Sequence, residues 1–286
     1  MIKQLTIFGV GLIGGSLALA LRKSGYCEKI IGCSRDAKHL QRAVDLGVID
    51  SFTLDPKEAV KGSDMILLAV PLRAMKPVLE SIVGHMEVEA FVTDAGSAKG
   101  SVIEAATEAY GGKLDPRFIA GHPIAGREKS SVEAAIDNLY LNQKVVLTPT
   151  EATCSEAVVA VKNMWKAAGA TVEILDVKQH DDVLAATSHL PHVLAYSLVN
   201  TLSKSQYGDA IFDYAAGGFK SFTRIASSDP VMWRDICLEN KEAILSALND
   251  FQQDLSNLGE LIEAEDEDAM TELFARAKAT RDRNIS

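Results

Sequence analysis

Short apolar, β-branched runs alternate with segments of helical period along the first 175 residues. Residues 5–8, 29–33, 65–70, 91–93, 118–120, 144–147 and 171–175 read as strands, with a further short segment at Val48-Ile49. Residues 16–21, 37–46, 56–61, 102–110 and 155–168 between them carry helical spacing, and another helix is expected after Arg127. Such alternation predicts βα units around a parallel sheet. From Val177 the strand signal stops. Residues 180–202 are helical in pattern, with Pro191 either kinking that helix or starting a new one. A glycine-hinged turn is expected over residues 217–224, and Asp229-Pro230 reads as a helix start. Ile244, Leu248, Phe251, Leu255, Leu258 and Ile262 then alternate four and three apart, a seam that serves either the domain's own core or a second copy of the chain. The pattern therefore predicts an α/β domain, residues 1–175, followed by an all-helical domain, residues 176–286.

The turn after the first strand carries the first chemistry. Gly9-Val10-Gly11-Leu12-Ile13-Gly14 is a GxGxxG sequence with a strand before it and a helix after it, which makes the α/β domain a Rossmann-type dinucleotide-binding domain. Gly9 suits the tight turn, Gly11 the approach of a pyrophosphate, and Gly14 close helix–strand packing, with the phosphates on the N-terminus of the helix opened by Leu12 and Ile13. Val70 and Pro71, where the 65–70 strand stops, complete the candidate cofactor residues. About twenty residues past the last glycine an acidic residue would bind a free ribose diol. That place holds Ser34, with Arg35 beside it, and a hydroxyl and a guanidinium suit a 2′-phosphate, so the cofactor reading is NAD or NADP with a lean to NADP. Asp36 remains an alternative ribose ligand.

A second cluster gathers at the carboxyl ends of later strands, where ligands lie in open α/β sheets. His122 is expected where the 118–120 strand gives way to a loop, and a neutral imidazole there can accept a hydroxyl proton near pH 7. A histidine between glycines also suits a core or capping role. Ser97 and Lys99 join it at the sheet edge, although Ser97 alone reads first as an N-cap. His189 and His192, three apart, share a helical face, but no third ligand of suitable spacing argues for a metal.

Composition narrows the partners. The 286 residues carry a net charge of −10, with 24% charged and 47% hydrophobic residues, so an ordinary globular protein is expected and neither nucleic acid nor an anionic membrane is a natural main partner. Any anionic ligand must be held by local cations. Cys27, Cys33, Cys154 and Cys237 have no pairing or metal spacing and read as reduced, mostly buried thiols. Met1 leads almost at once into a strand, without room for a signal peptide, and no apolar run nears the ~20 residues of a membrane span. A cytoplasmic location is expected.

Five stretches taken in order resemble the prephenate and arogenate dehydrogenases of tyrosine biosynthesis: GVGLIGGSLALAL from Gly9, DAGSAKG from Asp94, GHPIAG from Gly121, HDDVLAATSHLPH from His180 and GGFKSFTRIASSDPVMWRDI from Gly217. The resemblance implies a nucleotide-binding domain, a helical domain that makes a homodimer, and oxidative decarboxylation of a cyclohexadienyl acid as hydride passes to nicotinamide. It implies that His122 takes the 4-hydroxyl proton, that Ser97 contacts the same hydroxyl and helps fix the imidazole, and that Arg224 holds a substrate carboxylate. It further implies an active-site role for His189 and a carboxylate at the entrance, Glu128. Arg127 departs from the family, standing where a small hydroxyl residue is common, and could alter the preference between prephenate and arogenate. Tyrosine, if it inhibits, is expected to act at the active site as a product analogue. The runner-up readings are a β-hydroxyacid dehydrogenase, which would need a catalytic lysine in the helical domain, and a dinucleotide-sensing protein without turnover.

Overall fold

In the computed structural model, residues 1–127 and 131–285 are described, and the chain forms two compact units, Met1–Lys241 and Glu242–Ser286. Eight strands build one sheet: β1 (Ile2–Phe8), β2 (Cys27–Cys33), β3 (Ser51–Thr53), β4 (Met65–Leu68), β5 (Phe91–Asp94), β6 (Phe118–Pro123), β7 (Lys144–Thr148) and β8 (Thr171–Ile174). Their order is β3-β2-β1-β4-β5-β6-β7-β8. The chain reverses direction across the sheet between β1 and β4, which leaves a crevice at the carboxyl ends of those two strands.

Helices α1 (Leu12–Lys23), α2 (Ala37–Asp45), α3 (Pro56–Ala59), α4 (Leu72–Ile82), α5 (Gly100–Ala109) and α6 (Ser155–Ala167) connect the strands. The near-continuous apolar stretches of β1 and β4 are buried on both faces, as a parallel sheet covered by helices requires: Leu5, Ile7, Ile66, Leu67 and Leu68 have no exposed surface. Asp36 and Asp55 start α2 and α3 by accepting backbone N–H bonds from Lys38 and His39 and from Lys57.

The sheet departs from the sequence reading in three places. β3 has no counterpart among the expected strands: the short Val48-Ile49 segment before it is buried core, and the Asp50 carboxylate takes the Ile30 N–H at 2.7 Å and delays pairing until Ser51. β4 ends at Leu68, two residues earlier than expected. The sheet is not wholly parallel either. β6 runs parallel to β5 only through Phe118 and Ile119, and from Ala120 to Pro123 it pairs antiparallel with β7, which β8 joins in parallel. Beyond Arg127 the described residues form only a 3-10 turn, Val132–Ala134.

After β8 the chain is helical: α7 (Val177–Leu184), a π turn (Ala185–His189), α8 (Leu190–Ser203), a 3-10 turn (Gly208–Tyr214), α9 (Gly217–Thr223), a second 3-10 turn (Arg224–Ser227) and α10 (Pro230–Glu239). Of the two expectations for Pro191 the second holds, since a new helix, α8, starts with it. It lies in the first turn of α8, where the missing N–H is harmless, and the widened π turn before it gives room to the proline ring. The segment expected as a glycine-hinged turn is the helix α9, and α10 starts as expected, with Asp229 accepting the Met232 N–H at 2.7 Å. Of the cysteines, all free, only Cys33 is buried; the other three are half-exposed, fewer buried than the reading expected.

The second unit holds the rest of α11 (Lys241–Glu263) and α12 (Glu267–Asn284), with the Asp266 carboxylate capping α12 through the Ala269 N–H. Along the α11 seam, exposure rises from 4% at Ile244 to 51% at Leu255 and 59% at Ile262. No described helix is long and apolar enough to cross a membrane.

One buried ion pair ties this architecture to the residues around His122. Lys99 Nζ lies 2.5 Å from Asp94 Oδ2, and neither side chain is exposed. The same ammonium donates to the Gly121 carbonyl at 2.6 Å, while Asp94 Oδ1 accepts the Gly121 N–H at 2.9 Å and Oδ2 the Gly96 N–H at 2.7 Å. Both backbone polar groups of Gly121, the residue before His122, are thus fixed by buried charge. Burial pulls the Lys99 pKa down and Asp94 opposes it. Lys99→Met leaves the carboxylate buried without its cation and is expected to destabilise the protein by about 3–5 kcal/mol, lowering Tm by roughly 10 °C. Thermal and denaturant unfolding check this, and a loss below about 1 kcal/mol would mean that β6 is held without the pair.

Candidate active site

His122 sits inside β6, opposite Val146 of β7, rather than in a loop beyond the strand. It lies past the last residue of β6 paired with β5, so it still belongs to the carboxyl edge of the parallel sheet. Its ring is only 8% exposed. His122 Nδ1 is 2.9 Å from His180 Nε2, and His180 Nδ1 is 2.7 Å from Asp181 Oδ1. The carboxylate of Asp181, on α7, also accepts the N–H groups of Lys99 and Gly100, each at 2.8 Å. Those N–H groups open α5, whose N-cap residue, Lys99, offers no side-chain cap. Gly100 is needed there, because a Cβ would come within 3.0 Å of Asp181 Oδ2.

Electrostatics keep the first imidazole neutral. Burial, then the neighbouring His180, Lys99 and His189, hold His122 well below the ordinary 6.5. For Asp181, burial pushes the pKa up, but the hydrogen bonds from His180, Lys99 and Gly100 outweigh it and hold the carboxyl below its usual value. A neutral base beside an ionised carboxylate, bridged by a third ring, is an arrangement suited to accepting a proton from a hydroxyl.

The other sequence-picked residues divide. Ser97 is half-buried in the β5–α5 loop; it is not the N-cap of α5, which Lys99 occupies, and among the described residues it makes no hydrogen bond to His122. His189 ends the π turn, buried to 1% exposure, with its Nδ1 3.1 Å from Asn240 Nδ2 and its Nε2 without a partner among the described residues. Its ring faces Trp233 edge-on at 6.1 Å, and His192 stacks on the same indole at 3.7 Å. Arg224 opens the 3-10 turn after α9, close enough for its charge to lower the His192 pKa, and Tyr196 steadies that turn by donating to Ser228 O at 2.6 Å. Arg127 is exposed and reaches the Ala134 carbonyl at 3.5 Å. Glu128 lies outside the described residues.

At the crevice, the glycine turn fits a dinucleotide. Gly9 has φ +90°, and a Cβ on it would lie 2.3 Å from the Ala69 carbonyl oxygen. A Cβ on Gly14 would lie 2.4 Å from Gly9 O and 2.7 Å from Ile7 Cγ2, so only glycine lets α1 close onto β1. Gly11 is the N-cap of α1 and offers no side-chain cap, which leaves the first-turn N–H groups at Leu12 and Ile13 for an anion. Tyr140 braces the turn by donating to Ile13 O at 2.6 Å, and His39 Nε2 bonds Val10 O at 2.9 Å. Val70 lines the same turn, its Cγ1 3.2 Å from a Cβ on Gly9, and Pro71 begins α4. Ser34 and Arg35 follow β2, beside β1. Asp36, the alternative ribose ligand, spends its Oδ1 on capping α2.

Sequence reasoning passed over Asp94, His180, Asp181 and Asn240. A signal existed for two of them: His180-Asp181 stands at the head of a helical segment in which His180 and Leu184, four apart, fall on the buried face.

Burial brings the His189 pKa down from 6.5 to about 4. The unfolded chain therefore binds this proton from pH 6.5 downward while the folded protein resists it until about 4. Stability linked to His189 is complete above pH 6.5 and is lost as pH falls towards 4, by at most about 3 kcal/mol. An NMR titration of the His189 ring is expected to stay flat from pH 8 to 5; a midpoint near 6.5 would show the ring is hydrated.

Comparison with known proteins bears on this geometry. Residues 17–174 match the family described as prephenate dehydrogenase, nucleotide-binding domain, and residues 176–276 match prephenate dehydrogenase, dimerization domain. The chain is 34% identical to a cyclohexadienyl dehydrogenase of Zymomonas mobilis over 98% of its own length and 95% of that protein's. It is 36% identical to a prephenate dehydrogenase of Bacillus subtilis, covering 96% of this chain and 74% of that one. The crystal structure of prephenate dehydrogenase from A. aeolicus in complex with hydroxyphenyl propionate and NAD+ superposes with a TM-score of 0.92 at 40% identity, over 99% of this chain and 98% of that one. With both of its parts matched in order and relatives aligned along nearly the whole chain, this protein belongs to the prephenate dehydrogenase family.

Proposed function

We propose that this protein oxidises prephenate to 4-hydroxyphenylpyruvate and carbon dioxide, with NAD or NADP as hydride acceptor, in tyrosine biosynthesis. The observation that carries the reading is the buried, neutral His122, bonded through Nδ1 to His180 and so free at Nε2 to face a ligand. When bound, the nicotinamide supplies the hydride acceptor. The residues that would hold it are Gly9, Gly11, Leu12, Ile13 and Gly14 at the diphosphate, Ser34 and Arg35 at the adenosine ribose, and Val70 and Pro71 along the crevice. His122 takes the 4-hydroxyl proton as the carbon beneath it gives up hydride, and loss of carbon dioxide makes the ring aromatic, so the protein's task is orientation and proton handling.

Arg224 is the cation for a substrate carboxylate, with His189 beside it, Ser97 at the 4-hydroxyl and Arg127 and Glu128 at the entrance. Arogenate, with an ammonium in place of the keto group, is the alternative substrate. The cofactor lean is to NADP, because Asp36 is engaged as a cap and leaves Ser34 and Arg35 to meet the ribose. Residues 1–175 form the cofactor domain and 176–286 a substrate and dimerisation domain. The exposed seam residues Leu255 and Ile262 favour a homodimer through the helices, and a cytoplasmic enzyme fits the absence of any membrane-spanning helix among the described residues.

The test is absorbance at 340 nm with prephenate or arogenate, each paired with NAD⁺ or NADP⁺. Prephenate should give the largest kcat/KM, and a flat trace with all four pairs, from folded protein that binds cofactor, would sink the reading. His122→Asn should keep cofactor affinity while turnover drops by ~10²–10⁴; near-normal turnover would remove His122 from the chemistry. Arg35→Ala should raise KM for NADP⁺ several-fold and leave that for NAD⁺ alone. Equal changes for both would discard the 2′-phosphate assignment.

A further inference from the structure

We propose that Asp181 is a positioning residue that gives the two site imidazoles opposite hydrogen-bonding roles, making His122 Nε2 an acceptor and His189 Nε2 a donor. The proposal rests on His122 being the base. Donor and acceptor bookkeeping carries it. The Asp181 carboxylate already accepts two backbone N–H groups at the start of α5, one at each oxygen, and as an ionised group it can only accept. The third bond, at 2.7 Å, must therefore be a proton on His180 Nδ1. A neutral His180 then has its lone pair at Nε2, and the 2.9 Å contact to His122 Nδ1 requires the proton to sit on His122. His122 is left with an unprotonated Nε2, the form able to take a hydroxyl proton.

The backbone of the same residue indexes the other ring. Asn240 Nδ2 lies 2.9 Å from the Asp181 carbonyl oxygen and 3.1 Å from His189 Nδ1. A carbonyl cannot donate, so the amide nitrogen of Asn240 faces it, and its second hydrogen meets a lone pair on His189 Nδ1. The His189 proton is consequently on Nε2, a buried donor with no partner among the described residues. A buried donor in that condition is costly unless a ligand acceptor meets it, as a substrate carboxylate or keto oxygen would. Side chain and main chain of Asp181 thus set a base and a donor in one pocket. When His122 Nε2 takes the substrate proton, its Nδ1 proton can move to His180 Nε2 as the His180 Nδ1 proton moves towards the carboxylate. One proton enters at His122 and one positive charge is shared along the chain.

Two variants and one spectrum test this. In Asp181→Ala no acceptor holds the His180 proton at Nδ1, so the tautomers of His180 and His122 are no longer set; kcat is expected to fall about tenfold or more with KM within about threefold. In Asn240→Asp the new carboxylate can only accept, so His189 moves its proton to Nδ1, and KM should rise about tenfold or more with kcat less affected. The ¹⁵N spectrum of the wild-type imidazoles reads the tautomers directly, without substrate and whether or not a variant folds. Protonation of His122 at Nδ1 and of His189 at Nε2 is expected. His122 protonated at Nε2, as an imidazolium at His180 would require, His189 protonated at Nδ1, or unchanged kcat in Asp181→Ala would overturn the assignment. Absence of turnover by the wild type would instead strike the dehydrogenase reading, while the spectrum would still decide the tautomers.

Discussion

A carboxylate and an ammonium, both fully buried, grip the N–H and the C=O of Gly121, the residue that precedes His122, and the geometry of the site depends on that grip. Asp94 ends β5 and Lys99 immediately precedes α5, so the pair also sets the loop between them, including Ser97. An isolated charge of either sign could not survive there, since transfer from water costs several kcal/mol even after relaxation. Together the two are satisfied by each other and by backbone groups at Gly96 and Gly121. The arrangement adds little net stability over an apolar pair of the same size. It does, however, specify direction, because Gly121 offers its N–H to one partner and its C=O to the other, and a slip of β6 by one residue would break both of those bonds.

The same economy recurs at Asp181. The N-terminus of α5 has backbone donors and no side-chain cap of its own, and a carboxylate from α7 supplies the missing acceptor across more than eighty residues of sequence. That contact docks the helical segment after β8 onto the sheet's carboxyl edge and carries a negative charge to the histidines without exposing it to water. Burial then keeps His122 and His189 neutral, and neutral rings are the ones with distinct donor and acceptor nitrogens. Fixed orientation and neutrality arise from one cause.

The legible part of the sequence was the part governed by local rules. Strand periodicity placed seven of the eight strands, and the glycine turn announced itself because Gly9 needs a positive φ and Gly14 must admit the backbone of β1, demands met within a few residues of each other. β3 shows the limit: Ser51–Thr53 is too short for a periodic signal, and the buried Val48-Ile49 pair just before it does not join the sheet, because Asp50 has already taken the Ile30 N–H that pairing would need. The turn over residues 217–224 failed in the opposite sense, since its two glycines occupy the first turn of α9, where they cost a helix less than in its interior. At the site, His122 was found by its neighbours in the chain. Asp94, His180, Asp181 and Asn240 were missed because their roles depend on partners 27 to 82 positions away, which no local pattern encodes.

The π turn at Ala185–His189 shows how a local irregularity can serve that long-range design. Pro191 cannot donate to the helix, and its ring would crowd a carbonyl one turn earlier; the extra residue in the π turn relieves the crowding and rotates everything after it relative to α7. In an unbroken α-helix, residues nine apart lie about 180° apart around the axis, so His180 and His189 would face opposite sides. The residue inserted in the π turn takes up much of that difference and turns His189 towards the side of His180, where it meets Asn240, while Asp181 stays with His180. A regular helix would send the two rings apart. The irregular one brings them to one side of the helical run, each with its own partner, the Asp181 carboxylate for His180 and the Asn240 amide for His189.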